Sequence, residues 1–176
     1  MKKIFILLIV SVNCFSSEAI LRYTKAGDID GVRRVLDDII NARDSECNTP
    51  LLVALMNKHF DIANLLIDRG ADINASDKDG FSPLIYAVLS EEIPLTRKLI
   101  ELGANVNQQL TTGENPLYLA LQLDNINSTE LLLRAGADPL LKTQYPAAPD
   151  AKLLATTLTD PRYSELIEKS LQGRRI

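Results

Sequence analysis

His59 is the only histidine in the chain, so any nucleophile, histidine and acid arrangement would have to be built around it. As part of Lys58-His59 it reads as a turn residue bonding to backbone, with general base or metal ligand as the alternative uses. Cys47 sits in a loop and reads as a small hydrophobe or idle thiol, with redox or intermolecular pairing as the alternative. Asp37-Asp38 and Asp77-Lys78-Asp79-Gly80 are acidic pairs. A calcium loop needs several oxygens at fixed alternate positions, whereas the second segment offers two carboxylates and a lysine, which suits a hairpin turn. No Gly-rich phosphate loop, Cys-x-x-Cys or Gly-x-Ser-x-Gly occurs. No catalytic, cofactor-binding or metal-binding residue is assigned, no cofactor is expected, and the expectation is a protein that is not an enzyme.

The composition leans the same way. Of 176 residues 46% are hydrophobic and 24% charged, Trp is absent and aromatics are 5%, which is ordinary for a globular chain. With 19 basic against 23 acidic side chains, a net charge of -4 and no basic block after the first residues, nucleic acid is not an expected partner.

Lys2 and Lys3 precede an apolar run, Ile4 to Val12, followed by Asn13-Cys14-Phe15-Ser16-Ser17. A positive start, a short apolar stretch and a small-residue exit match a secretory signal peptide over residues 1–17. The apolar run would span about 14 Å as a helix, too short for a hydrocarbon core of ~30 Å. Cleavage after Ser16 or after Ala19 fits, and a third option makes Cys14 the lipid-bearing first residue of a lipoprotein, although Asn13 departs from the residue such signals carry there. Removing residues 1–17 leaves 17 bases against 23 acids, a balance of -6, and leaves Cys47 alone, so no intramolecular disulfide is available. The expected location is periplasmic or secreted, or else an outer-membrane lipoprotein facing the periplasm.

What would position any functional residue is a repeat. Thr49-Pro50-Leu51, Ser82-Pro83-Leu84 and Asn115-Pro116-Leu117 stand 33 residues apart, and Gly70-Ala71-Asp72, Gly103-Ala104-Asn105 and Gly136-Ala137-Asp138 recur in step. Thr49, Ser82 and Asn115 suit helix N-caps, and a proline at the next position loses no useful N–H. Ala54, Ala87 and Ala120 are small enough for a neighbouring helix to approach. Gly70, Gly103 and Gly136 suit the left-handed residue that closes a second helix. Each unit therefore reads as two short antiparallel helices and a tight turn, followed by a polar hairpin.

These motifs resemble the ankyrin repeat, whose signature is Thr-Pro-Leu-His-x-Ala early and Gly-Ala-Asp late in a 33-residue unit. Leu52, Ile85 and Tyr118 stand in place of the signature histidine, and Gly80 and Gly113 match the hairpin glycine while Cys47 replaces it. The Gly-His often found at the inter-helix turn is Lys58-His59 here. The expected fold is an all-α ankyrin-repeat solenoid of stacked helix-turn-helix units with short hairpin loops over residues 18–172. The units are about 18–47, 48–80, 81–113, 114–146 and 147–172. At the first end, Glu18 to Lys25 is expected as a helix, Ala26-Gly27-Asp28 as a turn and Asp30 to Ile40 as a second helix, with Val32, Val35, Leu36 and Ile39 on one face. At the other end, Tyr145 to Pro149 reads as a linker, Asp150 to Leu158 and Arg162 to Leu171 as the last helix pair, and 173–176 as a tail. Irregular end units are expected where outer faces meet water.

The resemblance implies protein recognition by a concave face lined by hairpin tips and first helices. The variable positions are Arg43, Ser45, Glu46 and Asn48, then Ser76, Lys78, Asp79 and Phe81, then Gln109, Thr111, Thr112 and Glu114, with Met56, Asn57, Leu89, Ser90, Gln122 and Leu123 from the helices. Phe81 is the foremost anchor, because aromatic side chains dominate interfaces. The function this implies is a non-catalytic protein-protein interaction module, monomeric, exported to a bacterial envelope. A narrower form has it neutralising a toxin or envelope enzyme in the manner of an immunity protein. The alternative is a lipid-anchored scaffold held at a membrane through Cys14.

Overall fold

A computed structural model describes residues 17–36, 39–143 and 150–173. The leader proper with Cys14, Asp37-Asp38, the 144–149 linker and residues 174–176 lie outside the described residues. Those described are helices and turns, with no strand among them. They fall in two compact units, one ending at Lys78 and the other starting at Asp79.

The first unit holds α1 (17–26), α2 (Ile29–Val35), α3 (Pro50–Met56) and α4 (Phe60–Asp68). Gly27, at φ +73°, turns α1 into α2, and Asp28 caps α2 by accepting from the Gly31 N–H at 2.8 Å. α2 is shorter than the periodicity predicts. It ends at Val35, and Ile39 and Ile40 lie in a turn. Val32, Leu36 and Ile39 are nevertheless buried. α2 packs on α4 and α3 on α4.

The second unit holds α5 (Pro83–Leu89), α6 (Ile93–Glu101), α7 (Pro116–Gln122), α8 (Ile126–Arg134), α9 (Ala151–Thr157) and α10 (Arg162–Gly173). First helices pack on first helices, α5 on α7 and α7 on α9, while second helices do the same, α6 on α8 and α8 on α10. α10 runs to Gly173, so the expected tail loses its first residue to the helix.

The repeat motifs do what their chemistry requires. Thr49 Oγ1, Ser82 Oγ and Asn115 Oδ1 accept from the N–H groups of Leu52, Ile85 and Tyr118 at 3.3, 3.4 and 2.9 Å. Ala54, Ala87 and Ala120 have no exposed surface. Gly70, Gly103 and Gly136 adopt φ of +84°, +89° and +90°. In each case the glycine N–H and the following alanine N–H return to two carbonyls of the last helical turn, for example Gly70 to Ile67 and Ala71 to Leu66, both at 3.0 Å; this is the Schellman closure. Leu52, Ile85 and Tyr118, which replace the signature histidine, are all buried, so apolar packing stands where a polar side chain would have bonded.

The same closure recurs, without glycine, at the ends of α3, α5 and α7. Lys58, Glu91 and Asp124 are left-handed at φ +58°, +56° and +54°, and the next residue, His59, Glu92 or Asn125, opens the second helix. Of these three only Asn125 caps with its side chain, accepting from the Ser128 N–H at 3.0 Å.

Candidate interaction surface

The first and third hairpins are three-residue loops closed by one left-handed residue. In the first, the Cys47 N–H donates to the Asp44 carbonyl and the Asp44 N–H to the Asn48 carbonyl, both at 3.1 Å, with Cys47 at φ +64°. In the third, the Gly113 N–H donates to the Leu110 carbonyl and the Leu110 N–H to the Glu114 carbonyl, both at 2.8 Å, with Gly113 at φ +91°. Asp44 also organises its loop through its carboxylate, which accepts from the N–H groups of Glu46 and Asn48 at 2.8 Å and from the Asn48 amide at 2.9 Å. Burial alone would raise its pKa; the bonds from Asn48 and Glu46 outweigh that and hold it below the ordinary 3.8.

In the first unit Arg43, Ser45, Glu46, Met56, Asn57 and Lys78 are exposed, and Asn48 and Ser76 are half-buried. Glu46 and Lys78 form an ion pair, and the Lys78 N–H donates to the Glu46 carbonyl at 3.2 Å. Asn57 folds back, its amide donating to the Val53 carbonyl at 2.8 Å. Met56 presents half of its surface to solvent.

In the second unit Asp79, Leu89, Thr111, Gln122 and Leu123 are exposed, and Phe81, Ser90, Gln109, Thr112 and Glu114 are half-buried. The Thr112 hydroxyl donates to the Glu114 carboxylate. Phe81 stacks on Tyr86, ring centroids 5.3 Å apart and planes at 28°, so the expected anchor belongs to an aromatic pair whose second member, Tyr86, lies on α5.

Two residues expected at the binding face have a further task. Arg43 Nη1 donates to the Cys47 carbonyl at 3.2 Å and to the Ser76 carbonyl, 33 residues on, at 3.1 Å. Gln109 Nε2 donates to the Gly113 carbonyl at 2.7 Å and to the Lys142 carbonyl, again 33 residues on, at 3.0 Å. Both fasten their own hairpin and tie it to the next. A second tie comes from asparagines: Asn41 Oδ1 accepts from the Asp72 N–H at 2.9 Å and Asn107 Oδ1 from the Asp138 N–H at 2.7 Å. The signal for it was available as asparagine at 41, 74 and 107.

The residues singled out for chemistry are placed apart. The His59 ring lies against Gly27, and its Nε2 is 3.3 Å from the Lys25 carbonyl oxygen, so it bonds to backbone across the first two helix pairs. Cys47 is an exposed thiol at its hairpin tip. Among the described residues no group of three or more metal-ligating side chains comes together, and no helix is long and apolar enough to cross a membrane.

Helix pairs of equal length, closed at the same positions and joined by fastened hairpins, define a helical repeat protein whose side-chain variety sits on loops and first helices. The ankyrin-repeat family model, three repeat copies long, matches residues 2–77 and 72–143. The chain belongs to the ankyrin-repeat family. The first match begins inside the segment read as a leader. Among curated proteins none matches the sequence. Ankyrin repeats are generally non-catalytic modules for binding other proteins.

Proposed function

We propose that this chain is an exported binding protein that holds a partner protein against its hairpins and first helices and performs no chemistry on it. The observation that carries the reading is the apolar surface left open in the second unit. Leu89 is 37% and Leu123 38% exposed at the ends of α5 and α7, which pack on each other, and α5 also carries Tyr86, stacked on Phe81. Large apolar side chains left exposed on packed neighbouring helices are what an interaction site offers. Export is supported by Lys2-Lys3 and the apolar run that follows. Neutralisation of a toxin or envelope enzyme is the narrower form, supported by the acidic balance.

The test is affinity capture from envelope extracts with wild type, Phe81→Ala and Leu89→Asp. A partner retained by wild type and lost by both variants supports the face. A partner retained equally by all three places binding elsewhere. Arg43→Glu is unsuitable for this purpose, because Arg43 fastens two hairpins and its loss would disturb the scaffold. Mass-spectrometric reading of the mature N-terminus tests export. The second reading, a lipid-anchored scaffold, rests on Cys14 directly after the apolar run; labelling with a fatty-acid analogue that disappears in Cys14→Ser would favour it over the first.

A further inference from the structure

In the second unit the first helices α5 and α7 and the loops that flank them hold acids and no base. The hairpin, first-helix and turn segments, 79–92 and 103–125, contain Asp79, Glu91, Glu92, Glu114 and Asp124 and no lysine, arginine or histidine. Arg97, Lys98 and Arg134 stand on the second helices α6 and α8 together with Glu101 and Glu130, Lys142 lies in the loop that follows α8, and Lys152 is on α9. α5 and α7 carry no charge at all. At ~1.5 Å per residue, the seven residues of α5 separate its hairpin end from its turn end by about 10 Å. Acids therefore stand at both ends of an uncharged first-helix layer bearing Phe81, Tyr86 and the exposed Leu89. In the first unit the corresponding segments are mixed, with Arg43, Lys58 and Lys78 among Asp44, Glu46 and Asp77.

We propose that the partner element seated on residues 79–125 is a cationic, arginine-bearing segment of a protein, with apolar side chains between its charges. This rests on the reading of the face as a protein-binding surface and adds the chemistry of what it takes. Segments that hold acids and no base give a potential that attracts a positive segment and disfavours an acidic one. The stacked Phe81–Tyr86 pair offers an aromatic face to a guanidinium, which a planar, weakly hydrated cation uses better than an ammonium does. The first unit already shows this contact internally, with the Arg22 and Arg34 guanidinium carbons 5.3 and 5.8 Å from the centroid of Tyr23. Leu89 supplies the apolar contact between.

The test selects a random-peptide phage library on the full chain and measures synthetic versions of the winners. The expected winners carry net positive charge, prefer arginine to lysine, and bind more weakly as salt rises. Glu91→Lys and Tyr86→Leu should each weaken them by about tenfold, while Glu101→Lys, on α6, should leave them unchanged. The two informative variants install residues that the fold already accepts at the same repeat positions, Lys58 and Leu119, and a thermal melt checks that each is folded. Neutral or acidic winners that still depend on Tyr86 overturn the cationic partner and leave the face standing. Winners equally weakened by Glu101→Lys show attraction by overall charge alone and overturn the proposal. Winners indifferent to Tyr86 and Glu91, or no winners, overturn both the proposal and the face.

Discussion

Arg43 in the first full repeat and Gln109 in the third occupy the same column and make the same two bonds, one to a carbonyl four residues on and one to a carbonyl 33 residues on. Their surroundings differ. The first hairpin is organised by the Asp44 carboxylate and has Cys47 in the left-handed position; the third has Leu110 where Asp44 would be, and Gly113 in the left-handed position. The geometry belongs to the repeat, and the side chains that secure it are interchangeable provided they present a donor or acceptor at the right atom. The contrast is sharpest at the residue that closes each hairpin. Gly80 has φ +91°, and a Cβ there would lie 2.9 Å from the Gln109 carbonyl oxygen and 3.0 Å from the Leu110 Cα. Backbone cannot move aside as a flexible side chain can. Gly80→Ala is therefore expected to lose about 2–3 kcal/mol in urea unfolding, from the strained φ together with the clash. Cys47→Gly, which relieves the strain at φ +64°, should gain up to ~1 kcal/mol. Equal effects of opposite sign at the two sites would mean that strain alone matters and the close approach does not.

Asp44 gives the next largest effect. Its carboxylate accepts three bonds, and removing it in Asp44→Ala leaves the Glu46 and Asn48 N–H groups without that acceptor, an expected loss of ~1–2 kcal/mol near neutral pH. The folded pKa lies below 3.8, so the unfolded chain takes up the proton first. This contribution is complete above pH 3.8 and fades as pH falls through the folded value. Unfolding curves of wild type and Asp44→Ala should converge in acid. The third hairpin, with Leu110 in place of Asp44, should show no such acid sensitivity of its own.

The repeat frame was open to sequence reading because its signals are local. A proline beside a capping side chain, or a glycine after an apolar pair, fixes its own few residues wherever the rest of the chain goes. The ties between hairpins were closed to it for the opposite reason. The column 43, 76, 109, 142 reads Arg, Ser, Gln, Lys, four residues with no shared sequence symbol, and looks like the variability of a binding face. What Arg43 and Gln109 share is a side-chain N–H donor, visible only when the receiving carbonyl 33 residues away is brought alongside. Phe81 was legible as an aromatic at a hairpin-tip position, but its pairing with Tyr86 needed the turn from hairpin to helix. Helix α2 shows the limit from another side: its apolar spacing continues to Ile39, and that residue is buried, yet from a turn. Periodicity reports which side chains face the core and not which backbone carries them.

The two ties can be exchanged experimentally. Arg43→Gln places in the first repeat the residue that does the work in the third, and is expected to leave stability within ~0.5 kcal/mol of wild type. Arg43→Ala and Gln109→Ala, each losing two exposed or half-buried bonds, should lose about 1 kcal/mol. If Arg43→Gln is as damaging as Arg43→Ala, the guanidinium matters for its charge rather than for its donor.

The smallest net effect is expected where two terms oppose one another. Lys58, Glu91 and Asp124 share a left-handed backbone, which disfavours a side chain by roughly 1 kcal/mol relative to glycine. Lys58→Gly and Glu91→Gly should raise stability by about that amount, read as a shifted urea midpoint at unchanged slope. Asp124 differs because its carboxylate receives the hydroxyl of Tyr163, a side chain on α10 that is 1% exposed. Burial, then that bond and the aspartate's charge, push the phenol above its ordinary 10.0. The protonated phenol thus stabilises the fold at all pH values below about 10, and the contribution is lost as pH climbs beyond it. Asp124→Gly would relieve the backbone while leaving a buried hydroxyl without its acceptor, a loss of ~1–3 kcal/mol, so its net change should be near zero or unfavourable. Tyr163→Phe in the Asp124→Gly background removes the orphaned hydroxyl and should recover the gain seen at Lys58 and Glu91. Should Asp124→Gly stabilise as much as the other two without that second change, the Tyr163 bond contributes nothing, and the last helix pair is held by apolar packing alone.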